Sequence, residues 1–178
     1  MKRADLEEII RRATEVSSQG EVIIIGSQAI LGTWDADELP ERATLSREAD
    51  VVPVRDDARG LVAQMIDVAI GEWSEFDRAH GFYGQGVSLA TAVLPAGWEE
   101  RIVRVEPDGP GGAAGLCLDP IDLCAAKLVR GEPKDMDFVG ALVDAALIDP
   151  IALATRVAML PTTHRAIAAK RAGAFTAG

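Results

Sequence analysis

Val22-Ile23-Ile24-Ile25-Gly26-Ser27-Gln28 is the stretch on which the fold turns. Four β-branched residues in a row predict a short strand buried on both faces. The Gly-Ser pair directly after it predicts a tight turn presenting backbone N–H groups and a hydroxyl. Downstream, Glu48-Ala49-Asp50-Val51-Val52 pairs a second apolar run with two acids one residue apart. Residues spaced by two share one face of a strand. Glu48 and Asp50 are therefore expected to project together where a core strand emerges. Carboxylates placed beside a hydroxyl and backbone amides suit a metal-bound nucleoside triphosphate, because magnesium takes one or two carboxylates plus substrate phosphates.

Working outward, Leu6, Ile9, Ile10, Ala13 and Val16 recur at helical spacing and predict an amphipathic helix over 4–17, broken by Gly20. Gln28 to Leu31 reads as a helical turn stopped near Gly32, and 34–43 as an acidic, Pro-containing surface loop. A second strand is expected over 48–54. Asp56 or Asp57 then caps a helix carrying Leu61, Val62, Met65, Ile66 and Ala69. The span 72–86 reads as irregular, with aromatics among glycines. Later strands are expected over 87–94 and 101–105, a flexible turn over 108–112, and an edge strand over 115–118.

Asp119-Pro120 with Asp122 marks the start of the next helix, which carries Leu123, Ala126 and Lys127 and stops at Gly131 and Pro133. A further helix is expected over 136–147. Asp149-Pro150 opens another to about Leu160, and Pro161 a last Ala-rich one. This order predicts an α+β fold, a small mixed sheet flanked by helices. Residues 1–148 are expected to form the main domain, with 149–178 a helical C-terminal part packed on it.

The composition narrows the function. With 48% hydrophobic residues among 178, the chain can bury a core, and no run is long enough to span a membrane. No secretory signal is visible, and Cys117 and Cys124 lack zinc-ligand spacing, so two buried thiols in a reducing cytoplasm are expected. A net charge of −10 argues against indiscriminate nucleic-acid binding. All 28 acids precede Ile151, whereas Arg156, Arg165, Lys170 and Arg171 follow it. That basic tail reads as a solvated helical face rather than a patch for RNA.

Taken singly, a Gly-Ser turn, an acid pair on a strand or a helix lysine is ordinary. Taken together, they resemble the DNA polymerase β-type nucleotidyltransferase superfamily. The matching segments are Ile25 to Gly32, Arg47 to Pro53, and Leu118 to Lys127 followed by Lys134-Asp135. His80 to Gly86 and Leu94 to Glu99 are similar to a bacterial family near the abortive-infection nucleotidyltransferase toxins.

The resemblance implies a minimal nucleotidyltransferase fold and transfer of a nucleoside monophosphate to an acceptor hydroxyl with release of pyrophosphate. It implies that Gly26, Ser27, Gln28, Lys127 and Lys134 bind the nucleotide. Glu48 and Asp50 would hold Mg2+ or Mn2+, and Glu48, Asp50, Lys127 and Asp135 would form the catalytic set. His80 and Tyr83 are candidates for an acceptor pocket. The acceptor class stays open among RNA, protein and small molecules, and a protein partner or homo-oligomer is compatible. The alternative is a catalytically degenerate binding protein within a toxin–antitoxin or defence module. Two features depart from the superfamily: Glu48 replaces the usual Asp, and the Gly-Ser to acid spacing is long. No third acid stands out among Glu99, Glu100 and Glu106.

Overall fold

A computed structural model describes residues 1–109 and 111–176. Its strands are β1 (Glu21–Ile25), β2 (Glu48–Pro53), β3 (Tyr83–Gly86), β4 (Val103–Val105) and β5 (Ala114–Cys117), joined in one mixed sheet of order β3-β2-β1-β5-β4. The β-branched run forms the central strand, as its continuous hydrophobicity requires. β2 runs antiparallel to β1 and places Asp50 opposite Ile25, at the point where the chain leaves the sheet for Gly26.

Helices α1 (Arg3–Ser17), α2 (Glu41–Thr44), α3 (Leu61–Ile70), α4 (Glu75–His80), α5 (Pro120–Arg130), α6 (Pro133–Asp144), α7 (Pro150–Val157) and α8 (Thr162–Ala172) flank the sheet, giving the expected α+β fold. The α1 stripe Leu6, Ile9 and Ile10 is fully buried, each side chain contributing about 1.5–3 kcal/mol. α5 packs on the turn after β1 and on α6, α7 and α8. Its start is the one expected: the Asp119 carboxylate accepts from the backbone N–H groups of Ile121 and Asp122 and Pro120 fills the first turn. Its end is closed from α8, where the Arg171 guanidinium donates to the carbonyls of Leu128 and Val129.

Several expectations are corrected. Residues 87–94 form no strand: Ser88 caps a short 3-10 turn over Leu89–Thr91, its hydroxyl accepting from the Ala90 N–H. The span 72–86 is largely ordered, because Ser74 caps α4 through the Asp77 N–H and Tyr83–Gly86 adds β3 alongside β2. Strand 115–118 is interior, lying between β1 and the edge strand β4, and 101–105 shortens to Val103–Val105. Residues 34–43 are more than a surface loop, since Leu39 and Ala43 are buried and α2 begins within them.

The basic tail is partly spent inside the fold. Arg156 pairs with Asp119 and with the fully buried Asp122, which also receives two hydrogen bonds from Arg101. Cys117 and Cys124 are buried free thiols, pushed up to about 12 by burial. Pro110, in the expected turn at 108–112, lies outside the described residues. Among the described residues, no helix is long and apolar enough to cross a membrane.

Candidate active site

The site begins with a contact that only glycine permits. Gly26 has φ +71°, and a Cβ built there would stand 1.8 Å from Asp50 Oδ2. Without it, the Asp50 carboxylate closes directly on the backbone of the turn. Ser27 follows, opening a 3-10 turn over Ser27–Gly32.

Asp50 and Glu48 lie on the same side of β2. Burial raises the Asp50 carboxyl most, and the neighbouring Glu48 charge adds to it. Lys127 and Arg130 pull it back, and the result is about 6. Glu48, the longer of the two acids, is held from β3, where the Tyr83 hydroxyl donates to its Oε2 at 3.1 Å. Tyr83 is itself buried, and burial together with the Glu48 charge pushes its phenol up to about 12. The Arg47 guanidinium lies 5.5 Å from the Tyr83 ring centroid and is tied down by the buried Asp77.

Across the cleft, Lys127 is buried on the last turn of α5, its Nζ 3.2 Å from Asp135 Oδ1 and 4.5 Å from the Phe138 ring centroid. Burial lowers its pKa, and the Asp135 charge opposes that. Asp135 also receives Arg130 Nε at 2.7 Å and Nη2 at 2.5 Å, and it caps α6 through the Glu132 N–H. Burial alone would raise the Asp135 carboxyl, but the hydrogen bonds from Arg130 and Lys127 hold it below its ordinary value.

These groups bound two adjoining cavities. A polar one of about 470 Å³ reaches Ser27, Glu48, Arg42, Lys134 and Phe138. An apolar one of about 320 Å³ lies between α5 and the segment from Val87 to Val93. Gly26, Asp50, Lys127 and Arg130 line both. A family described as a nucleotidyltransferase of unknown function (DUF6036) matches residues 4–165, from the first turn of α1 into α8.

The chain belongs to this nucleotidyltransferase family. No curated protein and no solved structure matches it.

Placed against this nucleotidyltransferase fold, the residues singled out in sequence divide into two groups. Gly26, Ser27, Glu48, Asp50, Lys127 and Lys134 meet at the polar cavity. Gln28 is fully buried and lines neither cavity; its Nε2 donates to Ala43 O at 3.4 Å and so ties the turn to α2. Asp135 is fully buried behind Lys127 and lines neither. His80 stacks on Phe76 with ring centroids 4.3 Å apart and lines neither. Tyr83 meets the site through Glu48 rather than through a cavity wall. Glu99, Glu100 and Glu106 line neither cavity, and Glu106 pairs with Arg104.

The sequence reading missed Arg130 and Arg42. Arg130 lies three residues after Lys127, on the same helical face, a spacing that could have disclosed it. Arg42 became visible only once α2 was formed. Among the described residues, no three or more His, Cys, Asp or Glu side chains form a metal cluster, so Glu48 and Asp50 can supply only part of a cation's shell.

Proposed function

We propose that this protein is a divalent-metal-dependent nucleotidyltransferase that moves a nucleoside monophosphate from a nucleoside triphosphate to an acceptor hydroxyl. The observation that carries this reading is the convergence of Ser27, the Glu48–Asp50 pair, Lys127 and Arg130 on one cleft. The donor set fits Mg2+ or Mn2+: two carboxylates on one strand face, the inner one held above its ordinary pKa partly by the other's charge, are a pair that a hard cation would relieve. When bound, the cation supplies charge neutralisation at the reacting phosphate.

In this reading, Ser27 and the Gly26–Ser27 backbone hold the phosphates and Glu48 and Asp50 hold the metal. Lys127 and Arg130, fixed by Asp135, present two preorganised positive charges to the departing pyrophosphate. Tyr83 fixes the Glu48 carboxylate, which offsets the freedom of its extra methylene. Asp135 is a positioning residue, acting through Lys127 and Arg130.

The polar cavity places Arg42, Lys127, Arg130 and Lys134 against Glu48, Asp50 and Asp137. Without a divalent cation the two strand carboxylates repel a polyphosphate. Nucleoside triphosphate is therefore expected to raise the melting temperature only with Mg2+ or Mn2+, by the mass action of a ligand that binds the native state. Thermal shifts with each of the four nucleotides, with and without chelator, check this. A metal-independent shift, or none with any nucleotide, would count against the reading. Tyr83→Phe keeps the ring and removes only the hydroxyl. It is expected to raise the Mg2+ concentration needed for the shift by ~10-fold, the scale of outer-shell losses at metal sites. An unchanged Mg2+ requirement would remove Tyr83 from this role.

One observation favours a second reading: no third ligand joins the carboxylate pair to form a cluster among the described residues. A chain that binds metal–nucleotide and transfers nothing would be a degenerate member acting by binding. The toxin–antitoxin or defence setting implied by the resemblance would then rest on a protein partner.

A further inference from the structure

We infer that the apolar cavity on the far side of Asp50 is the acceptor subsite, and that the acceptor is a small uncharged molecule carrying a hydroxyl on an apolar body. This rests on the nucleotidyltransferase reading and names its second substrate. A transferase must bring two substrates to one set of reacting atoms. Here two cavities adjoin, and the wall they share is Gly26, Asp50, Lys127 and Arg130.

Their chemistries differ. The polar cavity adds Ser27, Arg42 and Lys134 to the shared cations, and its lining includes the apolar Leu45 and Phe138. A polyphosphate with a nucleoside attached finds both its partners there, in a volume of about 470 Å³ that lies within the range of small-ligand sites. The donor thus accounts for the polar cavity and leaves the other free.

The apolar cavity is lined away from the shared wall by residues such as Val87, Val93, Leu118, Leu123 and Ala126, with Thr91 the polar side chain among them. Its cations are those of the shared wall, Lys127 and Arg130, which in this reading the donor's phosphates engage from the polar cavity. A phosphate-bearing acceptor would bring charge to walls that offer it no partner, at the desolvation cost of an unpaired ion. An RNA end is therefore disfavoured, as is a polycationic acceptor, which would meet Lys127 and Arg130 at the reacting end. A neutral alcohol loses little on entering and gains from apolar burial. Its hydroxyl emerges at Asp50, beside the position the α-phosphate takes.

The step balances without a further reagent. The acceptor oxygen forms a bond to the α-phosphorus, and the bond from that phosphorus to the bridging oxygen breaks. Pyrophosphate leaves with that electron pair, and the hydroxyl proton passes to water.

The test uses the full chain with Mg2+, each α-labelled nucleotide in turn, and cell extract separated into small-molecule, RNA and protein pools. Two variants narrow the apolar cavity only: Ala92→Trp, and Thr91→Trp, which sits on an exposed position and tolerates bulk. Label is expected in a small product that resists ribonuclease and protease. Both variants are expected to lose that transfer by ~100-fold, the cost of displacing an acceptor by about an ångström, while keeping the metal–nucleotide thermal shift. Label in RNA or protein overturns the inference. So does a small product indifferent to both substitutions, whereas nucleotide binding with no product from any pool overturns the underlying reading. Absence of the metal–nucleotide shift in the unsubstituted protein also overturns the underlying reading.

Discussion

Asp50→Asn is expected to make the nucleotide-free protein more stable by ~1–3 kcal/mol at pH 7 and to erase the metal–nucleotide thermal shift. The gain follows from the Asp50 carboxyl being raised in the folded protein to about 6 from an ordinary 3.8, first by burial and then by Glu48. Between those values the folded chain takes up a proton that the unfolded chain does not. The charged form is therefore a cost to folding that grows as pH rises from about 4 to about 6 and stays constant above. Asn carries no such charge. Urea midpoints of the two proteins should nearly coincide near pH 4 and separate in favour of the variant above pH 6. A variant less stable than the parent at pH 7, or one that keeps its metal-dependent shift, would show that Asp50 is not a strained metal ligand. Stability given up at a site for the sake of chemistry is a general cost of active sites.

Asp135→Ala is expected to have the opposite effect, a loss of about 3–5 kcal/mol. Its carboxylate is fully buried and receives Lys127, both arms of Arg130 and the Glu132 N–H. Removing it leaves the buried Lys127 ammonium without its counter-charge and uncaps α6. Lys127→Met should cost much less, because Asp135 keeps Arg130 and the cap while one charge leaves the interior. Denaturant unfolding of the two variants side by side checks this asymmetry. Equal losses, or an Asp135→Ala loss below about 1 kcal/mol, would mean that the cluster does not hold its cations as described.

The parts of the fold that sequence reveals are those whose signal is local. The β-branched run of β1, the alternation at Glu48 and Asp50, and the Asp-Pro start of α5 each carry their own physical reason within a few residues. β3 does not. Tyr83-Gly84-Gln85-Gly86 falls in the span read as irregular, yet it pairs with β2 as a strand, and α3 crosses Gly86 so closely that a Cβ there would lie 1.8 Å from Ala63 O. Residues 87–94 mislead the other way: their valines favour a strand, but Ser88 bonds its own following backbone and turns the chain. The start of α4 is again local, with the Ser74 hydroxyl accepting from the Asp77 N–H.

The candidate site divides along the same line. Gly26, Ser27, Glu48, Asp50 and Lys127 come from motifs. Tyr83 on Glu48, Arg130 on Asp135 and the wall supplied by α2 are tertiary facts, arising where three distant segments meet. The apolar cavity beside Asp50 likewise depends on 87–93 folding as a loop rather than as the expected strand.

The most direct measurement is transfer of label from an α-labelled nucleoside triphosphate, with Mg2+ and cell extract, by the unsubstituted protein and by Asp50→Asn. Labelled product with stoichiometric pyrophosphate from the first, and none from the second, is the expected result. Undiminished transfer by Asp50→Asn, or nucleotide binding with no labelled product from either protein, would contradict a catalytic Glu48–Asp50 site.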